Sequence, residues 1–591
     1  MFRILARRAF FRVSRGKERG VYSERFWKKN WDPGLDDLAP EEFETTYVEM
    51  VRETFQAFPD KTAFGFLGME MTFRELDSYA GRFAGMLMEN GFEKGDVVGI
   101  NLPNIPEYPI SIIGALRAGC VVSGVSPLLS ADQIKYQLND LASQGKRTAL
   151  VTLDAVFEGQ IAKIAPDMPG VELIVATGVL GFLPRWKQTL ARVLKKVPSG
   201  KIGPLSGKKV LDFHKDVLGG RFAPAPDVKT APDDLGWIYY TGGTTGPAKG
   251  AMLTQRNVAH NIMALSRWLG WEKGKGTLVS GFPMFHVAGT AVCQCALYFG
   301  WTQALIPNPR DTGHICREIK KYRPSVMVNV PSLYQILMAD ETFRALDHSA
   351  LETCLSAAAP FPLESQKELE EVIGKGKILE LYGMTETSPV SAMNPSLGVK
   401  KLGSVGMPFL NTECKLADPS TGEEVPLGEP GEICMKGPLV MKGYLNKPEE
   451  TQNAIDKDGY MRTGDVGIMD SDGYIRIVDR TKDMIIVGGF KVFSSKVEET
   501  LSGHPGAAMT ALIGVENPDR PGSEFVKAFV QPAPSFTGDE NDLKDDILRY
   551  AGETLAAYET PKLIEIVDEI PLTAVGKIDK KVLRAMEKDR T

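Results

Sequence analysis

The sharpest chemical signal in this chain of 591 residues is a glycine- and threonine-rich run that contains a lysine near its end. It reads YYTGGTTGPAKG from Tyr239 to Gly250 and continues the strand-like run GWIYY. Its glycines allow backbone N–H groups to close around phosphate oxygens, its threonine hydroxyls add donors, and Lys249 supplies a compact positive charge. The G-x-x-x-x-G-K-[ST] spacing of a Walker A loop is absent. The run therefore predicts a phosphate-binding loop of another kind, with a flexible glycine–threonine turn as the alternative.

A second run, ELYGMTET from Glu380 to Thr387, combines an aromatic ring with hydroxyl and carboxylate groups. Tyr382 beside Gly383 could stack on a base. Thr385 followed by Glu386 could hold a phosphate and a magnesium ion through oxygen ligands. A helix cap that begins at Thr385 explains the same residues, so this run alone leaves both interpretations open.

Two Asp-Gly turns lie further along the chain, in DGYMRTGDVG from Asp458 and DGYIRIVDRTKD from Asp472. Such turns typically join the strands of β-hairpins. Asp465, if it is buried, could instead accept hydrogen bonds from two ribose hydroxyls. Near the C-terminus, Lys577 lies in PLTAVGKI, a glycine-flanked loop in which a lysine is more often solvated than catalytic.

The elements around these runs predict an α/β protein. From about residue 45 into the 380s, helical patterns such as MTFRELDSYAGRFAGMLMEN alternate with short β-branched runs such as DVVGINLP and RTALVTLD, which is typical of mostly parallel sheets flanked by helices. After Pro408, short strands separated by Gly and Pro indicate a small antiparallel β subdomain. Strands and helices of the last part of the chain predict a compact α+β unit. We expect a basic segment at 1–44, a large N-terminal domain at 45–481 and a small C-terminal domain at 482–591.

The composition excludes several classes of protein. Hydrophobic residues make up 43% and charged residues 24% of the chain, the balance of a globular protein with a large core. The net charge of −6 argues against a nucleic-acid-binding protein, and no apolar run reaches the ~18 residues of a transmembrane helix. Seven cysteines without a CxxC pair favour reduced thiols over disulfides or a zinc site. We therefore expect a cytoplasmic protein.

Two basic tracts stand out from this acidic background. The first 20 residues hold seven basic residues and one acid, and at helical spacing their apolar and arginine side chains take opposite faces. A helix on an anionic membrane surface, a mitochondrial-type presequence and a frayed terminus are the alternatives. The second tract, residues 173–211, has eight basic residues, no acid and an apolar helical stripe. It predicts either a second membrane contact or a solvated surface helix packed on the core.

Taken together, the runs resemble the AMP-forming acyl-CoA synthetases of the adenylate-forming superfamily, and within it the bacterial long-chain fatty acid–CoA ligases. The resemblance extends from about Thr45 to Arg584, with five motifs in the family's order and spacing. It implies that a carboxylate attacks the α-phosphorus of ATP to form acyl-AMP and pyrophosphate, and that the thiol of CoA then displaces AMP. Such chemistry depends on positioning and charge neutralisation more than on a nucleophilic side chain. The implied substrates and cofactors are a fatty acid, ATP, Mg²⁺ and CoA, while a peripheral contact with the inner face of a membrane and a homodimer are left open.

The resemblance also assigns roles along the nucleotide. The residues implied to hold the β- and γ-phosphates are Thr241, Gly242, Gly243, Thr244, Thr245, Gly246 and Lys249. Those implied to hold the α-phosphate, the adenine and the ribose are Thr385, Tyr382, Gly383, Ala357, Ala358, Ala359, Asp465 and Arg480. The implied ligand of Mg²⁺ is Glu386.

Further residues are implied to act on the acyl group or on the domain arrangement. Lys577 neutralises charge that develops between the carboxylate and the α-phosphate. His286, in PMFHVAG, lies at the entrance of the acyl pocket, with a purely structural histidine as the alternative. Lys482 takes the family's hinge position, about which the C-terminal domain rotates between the two half-reactions. Gly488 and Gly489 then line the channel for the pantetheine arm of CoA.

Departures from the family pattern leave alternatives for the acid and for the acceptor. Lys491, in the implied CoA channel, replaces Asn, Glu or Gln, and Phe493-Ser494 replaces Tyr-Pro. An acyl-AMP ligase that loads a carrier protein is therefore one alternative, and an aromatic-acid CoA ligase is another. The alanines at 357–359 are bulkier than the glycines of some relatives and predict a narrower acyl tunnel for shorter or branched acids. An amino-acid adenylation domain is disfavoured because PMFHVAG has no Asp, and a regulator without turnover because the charged motif residues are all present.

Overall fold

The computed structural model describes residues 21–193, 197–242, 247–534, 536–572 and 578–588. Two large sheets with helices on their faces come first in these residues, and a small antiparallel sheet and a C-terminal α+β unit follow. The predicted α/β fold with parallel-rich sheets is confirmed. No helix in the described part of the chain combines the length and the apolar character needed to cross a membrane.

One large sheet comprises eight of the described strands and is mostly parallel. Every residue of Val97–Asn101 and of Thr148–Leu153 is buried, as expected for parallel strands covered on both faces. At one edge, two antiparallel pairings extend the sheet. In spatial order the strands are Gly443–Tyr444, Lys249–Thr254, Leu235–Thr241, Val121–Gly124, Val97–Asn101, Thr148–Leu153, Val171–Thr177 and Lys209–Asp212.

The second large sheet comprises nine of the described strands, parallel in its centre and antiparallel at both edges. Side chains of both large sheets contribute to one hydrophobic cluster. The carboxyl ends of parallel strands meet at one edge of such a sheet, which is where ligands of open α/β folds bind. In spatial order the strands are Met407–Pro408, Val390–Met393, Ile378–Gly383, Thr353–Ser356, Val326–Asn329, Thr277–Ser280, Thr302–Leu305, Thr62–Phe66 and Met69–Thr72.

The helices begin at caps that the sequence supplies. Before Phe73–Glu89, the hydroxyl of Thr72 accepts the N–H of Glu75 at 3.2 Å, and the carboxylate of Glu75 accepts the N–H of Thr72 at 2.8 Å. Besides Phe73–Glu89, the α-helices of the described N-terminal part are Tyr47–Ala57, Glu107–Arg117, Ala131–Leu141, Asp154–Val156, Ala162–Ile164, Arg185–Val193, Gln255–Leu269, Val287–Phe299, Thr312–Tyr322, Pro331–Met338, Glu341–Arg344, Leu363–Ile373 and Pro448–Ala454. Phe157–Ile161 and Phe213–Arg221 are π-helical, and the 3₁₀-helices are Val21–Glu24, Phe26–Asn30, Pro40–Glu42, Ser143–Gly145, Ala165–Asp167 and Thr385–Thr387.

A small sheet follows the two large ones, as the strands after Pro408 predicted. It pairs Glu413–Ala417, Gly431–Lys436, Met461–Met469 and Ile475–Arg480, all antiparallel.

The described part of the C-terminal unit, for which we predicted residues 482–591, has hydrophobic clusters of its own, which begin at Ile485. Its described elements are the hairpin Ile485–Val487 and Phe490–Val492, the sheet Ala507–Glu516, Glu524–Pro532 and Leu563–Ile566, and the helices Ser494–Ser502, Glu540–Thr554 and Lys580–Lys588.

Residues 21–44, which we expected to belong to a separate basic segment, pack on the body of the protein. Their aromatic side chains join the large hydrophobic cluster, and Trp31 lies edge-to-face on Trp268 with ring centres 5.6 Å apart. The Tyr22 hydroxyl donates to the carbonyl of Val425 at 3.0 Å. The predicted boundary after residue 44 therefore does not coincide with a change in packing, because large apolar side chains lie on both sides of it. The basic first 20 residues lie outside the described part of the chain.

Candidate active site

An antiparallel strand pair positions both ends of the predicted phosphate loop. Thr241 ends one strand, Lys249 begins the next, and the two residues are direct partners across the ladder. The Thr241 hydroxyl donates to the Lys249 carbonyl at 3.4 Å, and Gly242 is exposed. The strands thus bring the flanks of the loop together. The predicted loop residues outside the described part of the chain are Gly243, Thr244, Thr245 and Gly246.

Lys249 lies among two carboxylates and an aromatic ring. Its ammonium group donates to Glu450 Oε2 at 2.5 Å and lies 5.1 Å from the centre of the Tyr444 ring. The Tyr444 hydroxyl in turn donates to Glu386 Oε1 at 2.6 Å. Burial raises the pKa of Glu386, and the hydrogen bond from Tyr444 and the charge of Lys249 oppose that rise. The residue predicted to hold Mg²⁺ is therefore a neighbour of the lysine predicted to hold phosphate.

The surroundings of Glu386 fit a magnesium ion that is bound together with phosphates. Proteins typically hold Mg²⁺ through one or two carboxylates plus substrate phosphates and waters. Among the described residues, no cluster of three or more His, Cys, Asp and Glu side chains could hold a metal ion. Glu386, which is 5% exposed, offers one buried carboxylate beside the phosphate lysine, which matches the donor set that a magnesium–nucleotide complex needs.

Tyr382, Asp465 and Arg480 form one connected unit. The strand Ile378–Gly383 carries the buried Tyr382, whose hydroxyl donates to Asp465 Oδ2 at 2.7 Å. Arg480 Nε lies 3.2 Å from Asp465 Oδ1, and these two residues are partners on antiparallel strands of the small sheet. Burial raises the pKa of Tyr382 well above its usual value, so the hydroxyl keeps its proton and can donate. The ring predicted to stack on adenine is thus linked to the carboxylate predicted to hold ribose.

The chain turns sharply between Tyr382 and Glu386. A Cβ atom on Gly383 would lie 1.7 Å from the carbonyl oxygen of Pro389, so only glycine fits there. A 3₁₀-helix then begins at Thr385, which is 7% exposed. A short helix does begin at Thr385, although its N-cap is Met384 and no side-chain hydrogen bond caps it. It is compatible with a ligand role, because the same turn places Glu386 beside Tyr444.

The three alanines at 357–359 directly follow the strand Thr353–Ser356. That strand pairs in parallel with Ile378–Gly383, and Ser356 is the partner of Glu380. The alanines and Tyr382 therefore lie at adjacent strand ends. Ala358 has φ +72°, in the left-handed region that favours glycine. The structure brings these residues to one edge of the sheet, where the resemblance implies the adenine pocket.

His286 lies where the two large sheets meet. It is the N-cap of Val287–Phe299, and its Nδ1 accepts the N–H of Ala288 at 3.3 Å. The loop before it lies close to the other sheet, since a Cβ on Gly124 would come within 2.3 Å of the Phe285 carbonyl oxygen. His286 therefore has a structural contact and is partly buried, and its predicted role at an acyl pocket stays a prediction.

Charged groups hold the segment around Lys482 to the helix Lys580–Lys588 of the same C-terminal unit. Arg584 donates to Asp483 Oδ1 at 2.6 Å and to the carbonyl of Lys482 at 3.3 Å. The pKa of Lys482 is lowered to about 8, first by desolvation and then by the positive charges of Arg480 and Arg584. An amine with this pKa is poised to change its charge near neutral pH.

Upstream of Lys482, Asp479 connects the small sheet to the C-terminal unit. Its carboxylate accepts the backbone N–H of Ser494 and, at 3.0 Å, the hydroxyl of the same residue. The Lys580 ammonium donates to that hydroxyl at 2.6 Å and lies 2.7 Å from Glu498 Oε1. Asp479 is 2% exposed, and burial raises its pKa. A buried network of charged and hydroxyl groups thus spans the junction between the two parts of the chain.

Gly488 and Gly489 form the turn of the first hairpin in the C-terminal unit. Their φ angles of +58° and +90° suit a tight turn between antiparallel strands. Lys491, on the returning strand, pairs with Asp418 at 2.9 Å. The structure therefore connects this hairpin to the small sheet. Lys577 lies outside the described residues.

Sequence reasoning missed several residues of these networks. Glu450, Tyr444, Asp479 and Lys580 were not predicted, although each contacts a predicted residue or joins the segments that carry one. Lys249 and Glu450 are 201 positions apart. The acidic first turn of the helix Pro448–Ala454 was visible in the sequence, but nothing in the local pattern connected it to the phosphate loop.

Comparison with known proteins identifies the class. Residues 51–445 match the family model of the AMP-binding enzyme, and residues 496–577 match that of the AMP-binding enzyme C-terminal domain. The chain therefore belongs to the AMP-binding enzyme family, as its motifs predicted.

Curated relatives and a solved structure match most of the chain. It is 34% identical to a long-chain-fatty-acid–CoA ligase of Escherichia coli O6:H1, over 93% of this chain and 95% of the relative. It is 36% identical to the enzyme of that name from Bacillus subtilis, over 90% of this chain and 93% of the relative. The crystal structure of the anthranilate CoA ligase AuaEII in complex with anthranoyl-AMP matches with a TM-score of 0.80 and 26% identity, covering 94% of this chain and 99% of that one.

Proposed function

We propose that this protein is a long-chain fatty acid–CoA ligase that uses ATP to form acyl-AMP and then transfers the acyl group to CoA. One observation carries the proposal. The short segment from Tyr382 to Glu386 joins the unit with Asp465 and Arg480 to the unit with Lys249 and Tyr444. A ribose-binding carboxylate and a phosphate-binding lysine thus lie on either side of one turn, as a bound nucleotide requires. Curated relatives that match over nine-tenths of the chain bear this enzyme name.

In the first half-reaction, a carboxylate oxygen of the fatty acid attacks the α-phosphorus, and pyrophosphate leaves. The chain's own groups act here by orientation and by charge. Asp465 holds the ribose, Thr385 contacts the α-phosphate, and Lys249 stabilises the charge on the leaving pyrophosphate. Mg²⁺ held by Glu386 would neutralise phosphate charge. Lys577 is proposed to approach the reacting carboxylate.

In the second half-reaction, the sulfur of CoA attacks the acyl carbonyl, the C–O bond to AMP breaks, and the thiol proton is lost. The hairpin turn at Gly488 and Gly489 is proposed to line the pantetheine path, since a turn without side chains permits close approach. Lys482 is proposed as the pivot between the two half-reactions. Arg584 donates hydrogen bonds to the Lys482 carbonyl and to the neighbouring Asp483. These side-chain contacts can break and form again without unfolding the chain on either side of the pivot.

The decisive experiment measures AMP release with ATP and Mg²⁺ across acids from acetate to oleate, plus benzoate, with and without CoA. We expect CoA-dependent release that is strongest with medium- and long-chain acids, and acyl-CoA as the product. Turnover with benzoate alone would overturn the fatty acid assignment in favour of an aromatic-acid ligase. Accumulation of acyl-AMP without thioester would overturn CoA as the acceptor and point to a carrier protein.

We further propose that the enzyme is cytoplasmic and docks reversibly on anionic lipid through the helix Arg185–Val193. Trp186 and Leu190, one helical turn apart, are 65% and 51% exposed, and they lie in a tract without acids. Exposed aromatic and apolar side chains among lysines match the chemistry of an anionic membrane surface.

Vesicle sedimentation tests this contact. Wild-type protein should sediment with phosphatidylglycerol vesicles and less with phosphatidylcholine, and the double variant Trp186→Ala/Leu190→Ala should lose most of that binding. Leu128→Ala is the matched control, because Leu128 is 72% exposed elsewhere on the surface. Equal binding of the double variant and the wild type would refute this docking surface. A homodimer stays an open alternative.

A further inference from the structure

Lys249, which is proposed to bind phosphate, has a carboxylate partner in Glu450 that the proposed mechanism does not use. Lys249 donates to Glu450 Oε2 at 2.5 Å. Glu386, by contrast, accepts a hydrogen bond from Tyr444, whose ring lies near the Lys249 ammonium group. A lysine ammonium has three donors and no acceptor. A phosphate oxygen that approaches Lys249 therefore competes with Glu450 for the same small cation.

Glu450 is held in its place by the packing of its helix. The next residue, Thr451, accepts the N–H of Tyr444 at 2.9 Å through its hydroxyl. Gly443 leaves the room for this contact, since a Cβ there would lie 2.8 Å from the Thr451 methyl carbon. The short strand Gly443–Tyr444 pairs directly with Lys249–Thr254. The helix of Glu450 is therefore fixed to the strand Gly443–Tyr444, which pairs with the strand that begins at Lys249.

We infer that Glu450 is a positioning residue that holds Lys249 away from phosphate until the nucleotide arrives, and receives it again as pyrophosphate leaves. This inference rests on the proposed function, in which Lys249 stabilises the pyrophosphate. While Lys249 is paired with Glu450, it is not available to phosphate. The apparent affinity for ATP therefore falls in proportion to the fraction of time for which Lys249 is free of Glu450. The same competition speeds the release of the anionic product. Glu450 thus weakens ATP binding and speeds the release of pyrophosphate.

The expected size of the effect follows from exposure. The Lys249 and Glu450 side chains are 25% and 46% exposed, so water and salt screen their attraction and the pair is worth little in isolation. We expect Glu450→Gln to lower the KM for ATP and the inhibition constant of pyrophosphate by about three-fold each. Because release becomes slower, kcat should fall or stay unchanged. Glu449→Gln is the matched control, since Glu449 is the exposed neighbour on the same helix.

Variants that lack Lys249 separate this role of Glu450 from a general effect of negative charge near the site. Calorimetric titration of ATP into Lys249→Met and into Lys249→Met/Glu450→Gln should give equal dissociation constants, because Glu450 then has no lysine to hold. Tighter binding by the double variant would overturn the inference in favour of simple electrostatic repulsion. A higher KM for ATP in Glu450→Gln would overturn it in favour of a direct role in binding the magnesium–nucleotide complex.

Failure of the inference and failure of the proposed function give different results. If the wild type makes acyl-CoA while Glu450→Gln and Glu449→Gln share its KM and its inhibition by pyrophosphate, the inference is wrong and the function stands. If the wild type forms acyl-CoA from no acid, the proposed function itself is wrong.

Discussion

The phosphate region and the junction around Lys482 are held together by different means. Thr241 and Lys249 are direct partners in a sheet, and the strand that carries Tyr444 extends that sheet. At the junction, by contrast, charged side chains connect the small sheet to the C-terminal unit, as Asp479 does through Ser494. Backbone ladders fix one arrangement, whereas side-chain pairs can be exchanged without unfolding either part. Under the proposed function, the nucleotide would lie on a rigid frame while its reaction partners would be presented across an adjustable contact.

The two regions also differ in how they treat buried charge. Near the phosphate loop, the buried Glu386 has a hydroxyl donor in Tyr444 and a cation nearby. At the junction, Asp479 is similarly buried; it accepts the N–H of Arg480 on its own strand, while its other donors belong to Ser494 in the C-terminal unit. A buried carboxylate that loses its partners is strongly destabilising. Any movement at the junction must therefore supply Asp479 with water or with new donors.

The largest effect is expected from Glu386→Gln, which breaks the rigid side of the comparison. The amide keeps the shape and can still accept from Tyr444, but it removes the charge that would hold Mg²⁺. We expect acyl-AMP formation to fall by about 10²-fold or more, as for other removed groups that stabilise transition-state charge. Pyrophosphate release measures this rate, and Glu429→Gln, an exposed carboxylate, is the control. A loss of less than about three-fold would show that the charge of Glu386 is not used.

The next largest effect is expected from Asp479→Ala, which breaks the adjustable side. The Ser494 N–H loses its acceptor, so we expect a loss of about 2–3 kcal/mol of local stability. Hydrogen exchange of the helix Ser494–Ser502 should accelerate, and Asp479→Asn should have a smaller effect because it still offers an oxygen. The balance between acyl-AMP formation and thioester formation from supplied acyl-AMP should also shift. Asp472→Asn, in the exposed turn before the same strand, should change neither.

The region of the predicted phosphate loop and the junction around Lys482 also differ in how much of each could be predicted from the sequence. The sequence could indicate a phosphate loop because Thr241, Lys249 and the glycines lie in one short run, and this role stays a prediction. The fold class was predictable because alternating helical and β-branched patterns are local. The ribose role of Asp465 was one of two interpretations of its Asp-Gly hairpin, and the role of Arg480 came only from the family resemblance, although the same hairpin pairs the two residues.

The junction was not predictable in the same way. Arg584 and Asp483 are 101 positions apart, and Lys580 and Ser494 are 86 apart. Hydrophilic side chains of this kind are usually solvated, and only the tertiary packing of the C-terminal unit brings the members of each pair together. The packing of residues 21–44 on the large cluster was not predicted, because the basic tract at residues 1–20 led us to place the domain boundary after residue 44.

A smaller effect is expected from the pH dependence of Lys482. Its pKa lies at about 8 in the folded protein, below its ordinary value of 10.5. The unfolded chain therefore binds more protons than the folded one between these values, and this lysine's contribution to the free energy of unfolding rises with pH across that window. We expect the difference in unfolding free energy between the wild type and Lys482→Met to increase from pH 8 towards pH 10. Solvent exposure keeps this increase small, and a flat or falling difference would contradict the lowered pKa.

The smallest effect is expected from Lys491→Ala, and it sharpens the comparison between buried and exposed contacts at the junction. Lys491 and Asp418 connect the hairpin to the small sheet, but their side chains are 40% and 28% exposed. Exposed pairs contribute about 0–1 kcal/mol, so urea unfolding should change by no more than that and less than in Asp479→Ala. The KM for CoA should still rise if the hairpin must be presented at this position, because a lost tether makes the presented state less populated. An unfolding change as large as that of Asp479→Ala would mean that the exposed pair, rather than the buried network, holds the C-terminal unit.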